Sequence, residues 1–400
     1  MAINRIRYFF GYFLFLILAV SLFGEILVRI FFPFDPLAKN WDRTEEHPYI
    51  RTDWAPHYKN QYRLGGLTGS AETMEFKINS FGFRGSSMKT AGKPAGTTRL
   101  FFLGGSTTEC LLLPEEKTFA ALVEDKLTRA FPGKRFESIN QGISGYLAAD
   151  SLAVLLYKVL YYQPDTVIVM HGINDMRYGL TPSYDPVRRR GYDKYLYRLN
   201  YREPLSASVS GILKHSLFFT LIKWRIWNRF FPPEPERFKT VFEDLQEKRL
   251  RRRQIPFTEP HPSKGLEDFL KNLREMIWVC RGHGVRLLLM TEPSIYTPSV
   301  QPEIEKQLWM GLIQRVPPPV NLPSPFFYKE MSRFNDALRK LAKEEGVELI
   351  DLEKSIPKTA GYFYDDAHFK ELGAAKAAEV IAGYLISHPE PPKHPEPKLV

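Results

Sequence analysis

The apolar run that opens the chain constrains it more than anything that follows. Residues 8–23 are apolar and uncharged, and residues 26–34 resume the run after Glu25, giving about 25 residues. That length suits a helix crossing a hydrocarbon core of about 30 Å. The ionisable residues within the run, Glu25 and Arg29, stand four apart and so share one helix face near its far end, where they can pair or reach the interface. Arg5 and Arg7 precede the run, and basic residues ahead of a first helix favour a cytoplasmic N-terminus. A cleaved signal peptide is the competing reading, since Ala19 and Ser21 offer small residues. Against it, Leu22, Phe23 and the residues from Ile26 prolong the apolar stretch past any such site. The expectation is an uncleaved single-pass anchor over residues 1–35, with everything later outside the cytoplasm.

Net charge is the next constraint, once it is located. The chain carries +10, yet 17 Lys and Arg against 7 Asp and Glu stand between Arg188 and Arg253, so this one stretch holds the entire excess. A local basic surface is implied rather than a generally basic protein. Nucleic-acid binding fits the charge but not a location outside the cytoplasm, so no nucleic-acid partner is expected. With 44% hydrophobic and 25% charged residues, a largely disordered or fibrous chain is excluded. Two cysteines, Cys110 and Cys280, exclude a disulfide framework and a four-cysteine zinc site, leaving either one bridge or two free thiols.

Residues 36–96 have no helical period and read as an irregular or β-rich lead-in, with a strand and turn over residues 77–85. The pattern then changes to short apolar runs alternating with amphipathic helices. Strands are predicted at 99–103, 136–140, 166–170, 285–290 and 347–351. Helices are predicted at 117–131, 148–161, 266–281, 327–345 and 371–386. Such alternation implies an α/β domain with a parallel sheet covered on both faces. The Pro-rich, charged tail at 388–400 is expected to be disordered.

In parallel sheets, functional groups gather at the carboxyl ends of the strands. The first strand is followed by Gly104-Gly105-Ser106-Thr107-Thr108, which places a hydroxyl on a tight strand-to-helix turn beside the amides of the coming helix. That suits a nucleophile and part of an oxyanion site; a serine N-cap is the plainer alternative. After the second strand stands Gly142, whose N–H can approach an oxyanion without steric cost, or which simply makes a turn. The third ends in His171-Gly172-Ile173-Asn174-Asp175, where the Asn174 amide can face the same oxyanion while Asp175 holds the loop. Before the final helix, His368 is a candidate base for Ser106, and Asp365, three residues earlier, can orient its imidazole. Asp366 is the adjacent alternative to Asp365.

Taken in order, these blocks resemble the SGNH hydrolase superfamily, also called GDSL esterases and lipases. That family places a nucleophile Ser after the first strand, then a Gly, then Gly-x-Asn-Asp and a late Asp-x-x-His, and the match spans residues 97–387. Gly105 stands where the family's motif has Asp, a residue that is not catalytic there. Asn79-Ser80-Phe81-Gly82-Phe83-Arg84 resembles the lead-in of a membrane-anchored branch. The resemblance implies a flavodoxin-like three-layer sandwich. It also implies Ser106 as nucleophile, His368 as base and then acid, and Asp365 as the orienting carboxylate. The oxyanion hole would be the Ser106 and Gly142 backbone N–H groups with the Asn174 side chain. Neither a metal nor an organic cofactor is implied.

Residues 180–265 interrupt the sheet pattern. Within them, residues 212–231 mix Lys214, Lys223, Arg225 and Arg229 with Leu, Ile, Phe and Trp, the composition of a basic amphipathic helix. It can be a lid, a second membrane contact, a wall of an acyl pocket, or an insert packed on the domain with its charges solvated. The expected function is a membrane-anchored, extracytoplasmic serine ester hydrolase acting on O-acylated envelope glycans or lipid-linked saccharides. An acyltransferase using the same nucleophile, and a catalytically silent envelope scaffold, are the alternatives.

Overall fold

The computed structural model describes residues 2–31, 44–45, 49–50, 52–69, 72–85, 88–181, 184–186, 218, 241–313 and 319–389. The chain divides into two compact units: Met1–Thr44 with Arg198–Phe238, and Glu45–Tyr197 with Lys239–Val400.

In the first unit, Ala2–Phe31 form one helix, α1. Its segment Tyr8–Leu27 is long and apolar enough to cross a membrane. Of the basic amphipathic segment at 212–231, only Phe218 is among the described residues. Its backbone N–H donates to Glu25 Oε2 at 3.0 Å, and a Cβ on Gly24 would meet its ring at 2.5 Å. The tail beyond residue 389 lies outside the described residues.

The second unit is built on five parallel strands. They are β3 (Thr97–Gly104), β4 (Arg135–Gly142), β5 (Thr166–Met170), β6 (Arg286–Met290) and β7 (Glu348–Ile350), in spatial order β7-β6-β5-β3-β4. Central strands β5 and β6 are buried at every position, as strands covered on both faces must be. Helices α3 (Phe119–Ala130) and α9 (Glu371–Ser387) pack together on one face. On the other face, α7 (Leu266–Gly282) packs with α4 (Ala148–Tyr157) and α8 (Ser324–Glu345). This is the doubly wound order 2-1-3-4-5, whose switch point falls between β3 and β5, where such folds bind ligands.

Local chemistry moves several boundaries from their predicted places. Helix α3 starts at Phe119 rather than 117 because Thr118 caps it, its side chain accepting the Ala121 N–H. Helix α4 stops at Tyr157, short of 161, where Lys158 leaves helical geometry. The Lys158 side chain turns inward, bonding Asp53 Oδ1 at 2.7 Å and the Gly82 carbonyl at 2.8 Å.

The lead-in is part of this unit. Its strands β1 (Lys59–Arg63) and β2 (Thr73–Lys77) pair antiparallel. Residues 78–84 then lie along the sheet's edge: the Arg84 N–H donates to the Asn140 carbonyl at 3.1 Å, and the Asn140 N–H returns to the Arg84 carbonyl at 3.2 Å. The open edge of β4 is thus covered. Trp54, Phe76 and Phe83 are fully buried in the common core. At about 1.5–3 kcal/mol for each large apolar side chain, these three hold the lead-in more firmly than any linker.

Charges in the insert behave differently from the expectation of a solvated basic surface. Within helix α6 (Val241–Gln254), Arg249 and Arg252 are buried. Arg249 donates to the carbonyls of Gln307 at 2.9 Å and Tyr364 at 2.8 Å. Arg252 pairs with Glu305 at 2.6 Å and reaches Ser324 Oγ at 3.1 Å. Part of the basic excess therefore fixes loops inside the domain. Cys110 and Cys280 are both buried free thiols.

Candidate active site

Strand β3 delivers Gly104 and Gly105 into a four-residue helix, α2 (Ser106–Glu109), which opens with the serine. Both glycines are required by close approach. A Cβ on Gly104 would meet the Met170 carbonyl at 2.6 Å, and one on Gly105 would meet Asn174 Nδ2 at 2.6 Å. Cys110, at φ 52°, ends the turn in the left-handed region. Behind it, the buried Arg84 guanidinium donates to the carbonyls of Glu109 and Leu113 and lies 4.7 Å from the Phe76 ring centroid. The lead-in motif thus braces the turn that carries Ser106.

Ser106 Oγ lies 2.7 Å from His368 Nε2, and His368 Nδ1 lies 2.7 Å from Asp365 Oδ2. The histidine is held where it must be by its own tetrapeptide. Asp365 Oδ1 accepts the Ala367 N–H at 3.1 Å and the His368 N–H at 3.0 Å, folding Asp-x-x-His into one turn. Asp365 Oδ2 also accepts the Trp309 indole N–H at 2.9 Å. Burial alone would raise the Asp365 pKa, but the charge and hydrogen bond of His368 and the Trp309 bond hold it below the ordinary carboxylate value. Burial would likewise lower the His368 pKa, and the neighbouring Asp365 charge overcomes this and raises it. An ionised Asp365 can only accept, so Nδ1 carries the ring proton and Nε2 is left to accept the Ser106 hydroxyl. An imidazole so placed can take that proton as the oxygen attacks a carbonyl.

Asp366, the alternative partner, faces away from the histidine. It accepts the Trp309 N–H at 2.9 Å, the Met310 N–H at 3.1 Å and the Tyr296 hydroxyl. Burial and then the Asp365 charge push its pKa up.

Asn174 is the second residue of α5 (Ile173–Gly179), which follows β5, and sends one Nδ2 donor to the Tyr146 carbonyl at 3.1 Å, alongside Gly105. Asp175 accepts the Ala148 N–H at 3.0 Å and so ties this loop to the start of α4. His171 bonds Ser151 Oγ at 2.7 Å, and burial pushes its pKa down to about 4, so it is a neutral core group. Gly142 packs behind α2, where a Cβ would meet the Glu109 backbone N at 2.2 Å. Its N–H donates to Asn140 Oδ1 at 2.8 Å. The following turn, with Gly145 at φ 82°, leads to the Tyr146 carbonyl that Asn174 bonds.

Two buried or half-buried side chains at the site escape a reading of the sequence. Trp309 comes from the segment between β6 and α8, with Lys248 Nζ at 4.7 Å and the Arg177 guanidinium at 5.5 Å from its ring centroid. Nothing local in the sequence marks it. Glu292 follows β6 at the sheet's carboxyl end, and the strand-end rule that located Ser106, Gly142 and Asn174 also points there.

The GDSL-like lipase/acylhydrolase family model matches residues 102–376. The chain therefore belongs to that family, and it is an ester-bond hydrolase. No curated protein matches the sequence. Among solved structures, the chain is similar to an alpha/beta hydrolase enzyme from the metagenome of Lake Arreo, Spain, with 17% identity over 72% of this chain and 94% of that one, TM-score 0.38. It is also similar to an acetylxylan esterase from Geobacillus stearothermophilus, with 16% identity over 71% and 92%, TM-score 0.37.

Proposed function

We propose that the chain is a membrane-anchored serine esterase that works through an acyl-enzyme on Ser106. The observation that carries this reading is the continuous chain of two 2.7 Å contacts from Ser106 Oγ through His368 to Asp365. In the first step, Ser106 Oγ attacks the ester carbonyl and its proton passes to His368 Nε2. Collapse of the tetrahedral intermediate then expels the alcohol, which takes that proton. In the second step, water attacks the acyl carbonyl, gives its proton to His368, and releases the acid as the proton returns to Ser106. Asp365 steadies the imidazolium formed in each step.

The oxyanion donors in this reading are the Ser106 N–H and Asn174 Nδ2. Gly142 serves as a third only if its N–H leaves Asn140 Oδ1; otherwise the turn holding Gly145 is where that donor belongs. Each donor is worth about 10²–10³ in rate.

For the domain's location, Arg5 and Arg7 before the apolar run favour an N-terminus in the cytoplasm, α1 as an uncleaved anchor, and catalysis outside. Residues 36–96 are then a bracing lead-in, and residues 97–387 the hydrolase domain with its insert at 180–265. Such a location puts O-acylated envelope glycans or lipid-linked saccharides within reach as substrates.

The test is fluorophosphonate labelling and p-nitrophenyl acetate turnover by the full-length protein in lipid, with Ser106→Ala and His368→Ala alongside. Labelling and turnover by the wild type, lost in both variants, is expected, and acetate release from O-acetylated glycans follows as the substrate screen. A folded wild type that neither labels nor turns over would sink the reading.

A further inference from the structure

Glu292 is 3% exposed, and its carboxylate joins the two loops on which the reaction depends. Oε1 accepts the hydroxyl of Thr107, the residue after the nucleophile, at 3.0 Å. Oε2 accepts the backbone N–H of Ile173, the residue before Asn174, at 2.7 Å. Its own backbone is clamped from α8: the Glu292 N–H donates to Asn335 Oδ1 and its carbonyl accepts from Asn335 Nδ2, both at 3.0 Å.

The groups that bond Glu292, Thr107 from α2, Asn335 from α8 and the Ile173 amide from α5, are all uncharged. No Lys or Arg among the described residues forms an ion pair with Glu292. The titratable group that acts on it is His368, which itself answers to Asp365, Asp366 and Glu292. Burial pushes the Glu292 pKa up to about 7, with the Ile173 and Thr107 bonds and the His368 charge pulling the other way.

We propose that Glu292 is a positioning residue, fixing the nucleophile turn against the oxyanion loop through Thr107 and Ile173, with its carboxyl group within electrostatic reach of His368. The inference rests on the reading of Ser106 and His368 given above. In a buried site an unneutralised charge acts over several ångströms far more strongly than in water. As Ser106 attacks, positive charge arrives on His368, and above about pH 7, where Glu292 is ionised, a carboxylate already in place requires no rearrangement to meet it.

Glutamine separates geometry from charge. Its Oε1 can accept the Ile173 N–H while its Nε2 donates to Thr107 Oγ, so both links survive and only the charge is lost. The experiment compares wild type, Glu292→Gln, Glu292→Ala and Thr107→Val as full-length protein in lipid. It follows kcat and KM for p-nitrophenyl acetate and the fluorophosphonate labelling rate across pH. Glu292→Gln is expected to keep KM, lose several-fold in kcat, and move the acidic limb of kcat/KM to lower pH, because His368 without that neighbour deprotonates more easily. Thr107→Val, which keeps the charge, should slow turnover without moving the limb. Glu292→Ala removes both links and should cost about 10²-fold, the scale of a misplaced catalytic group.

A Glu292→Gln enzyme with wild-type kcat and an unmoved acidic limb overturns the inference, as does Glu292→Ala within about twofold of wild type. If the wild type itself neither labels nor turns over, the Ser106 reading fails and takes this one with it. A labelled wild type with indifferent Glu292 variants overturns this one alone.

Discussion

The two ends of the central sheet handle charge in opposite ways. At the amino end, Arg99 on β3 and Glu137 on β4 face each other in register, 2.6 Å apart and essentially inaccessible. The Arg99 guanidinium also reaches the carbonyls of Thr90, Ala91 and Tyr162 at 2.7 to 2.8 Å. Arg286 and Glu348 pair diagonally between β6 and β7, Glu348 being in register with Leu288, with Arg286 Nε 2.7 Å from Glu348 Oε2. At the carboxyl end, Asp365, Asp366 and Glu292 are equally buried, yet among the described residues none makes an ion pair with Lys or Arg. They are met by amides, an indole, hydroxyls and one histidine. Paired charges neutralise one another and hold strands in register. Carboxyls met by neutral donors divide: Asp365 is held ionised by His368, whereas burial pushes the pKa values of Asp366 and Glu292 up.

The contrast is broken most severely at its reactive centre. Ser106→Ala and His368→Ala should each lower kcat by about 10⁴-fold or more while leaving the thermal melt in place. The two substitutions combined should cost no more than either alone, because they remove one unit. Additive losses would mean that the two residues act separately.

Asp365→Asn comes next, at about 10³–10⁴-fold in kcat, since an amide toward Nδ1 favours the wrong tautomer. Asp366→Asn is its control. Asp366 touches Trp309, Met310 and Tyr296 but not the imidazole, so kcat should fall by no more than about tenfold while stability drops by about 1–3 kcal/mol as buried donors lose an acceptor. Equal kinetic losses at the two positions would show that the carboxylates share the work. In the wild type and in Asp366→Asn the acidic limb of kcat/KM should lie above pH 6.5, the ordinary histidine value, and Asp365→Asn should move it down. His368 must be neutral to accept the proton, and the Asp365 charge raises its pKa.

At the amino end the signs reverse. Arg99→Met leaves the buried Glu137 carboxylate only the half-exposed Arg135, 3.2 Å away, and should cost about 3 kcal/mol of stability with kcat per folded molecule unchanged. Adding Glu137→Leu should recover much of that loss, as replacing both partners by apolar groups often does. A kinetic effect from Arg99→Met would show that the two ends are not independent.

Much of the reactive end is legible in the sequence, because it is organised by chain-local rules. Strand β5 runs from Thr166 to Met170 as its apolar pattern and its bounding Pro164 and Gly172 require. Ser106, Asn174 and Asp365-x-x-His368 sit at strand ends or at a helix start, and it is their order along the chain, matched to the family's blocks, that picks them out. Partners brought in from far along the chain are not legible in this way. Trp309 reaches Asp365 across 56 positions and Glu292 reaches Thr107 across 185. No periodicity encodes such meetings. Gly142 shows the converse limit: its position is where a donor belongs, but its N–H is already given to Asn140 two residues back. The arginines of α6 mislead in the same way, since a run of like charge says nothing about which members turn inward. Gly142→Ala should accordingly destabilise the domain, because the added Cβ meets the Glu109 backbone rather than a side chain that can move.

A pH-dependent effect follows from burying Glu292 without a Lys or Arg partner among the described residues. Its pKa of about 7 in the fold lies above the value of 4.5 that it takes in an unfolded chain. Between those two values the folded state binds the proton more tightly than the unfolded state does. Stability therefore falls as pH rises through that window and is flat above it, by about 3 kcal/mol in total. Glu292→Gln has no proton to lose, so the difference in stability between variant and wild type should grow in the variant's favour from pH 4.5 to pH 8. Taking that difference in urea unfolding cancels every other titrating group. The sign is informative because it opposes the kinetic one: the substitution that lowers kcat should gain stability relative to wild type as pH rises. Arg99→Met, tested over the same range, should lose stability throughout. Parallel curves for Glu292→Gln and wild type would mean that the carboxylate is neutralised after all, and the contrast between the two ends of the sheet would be lost with it.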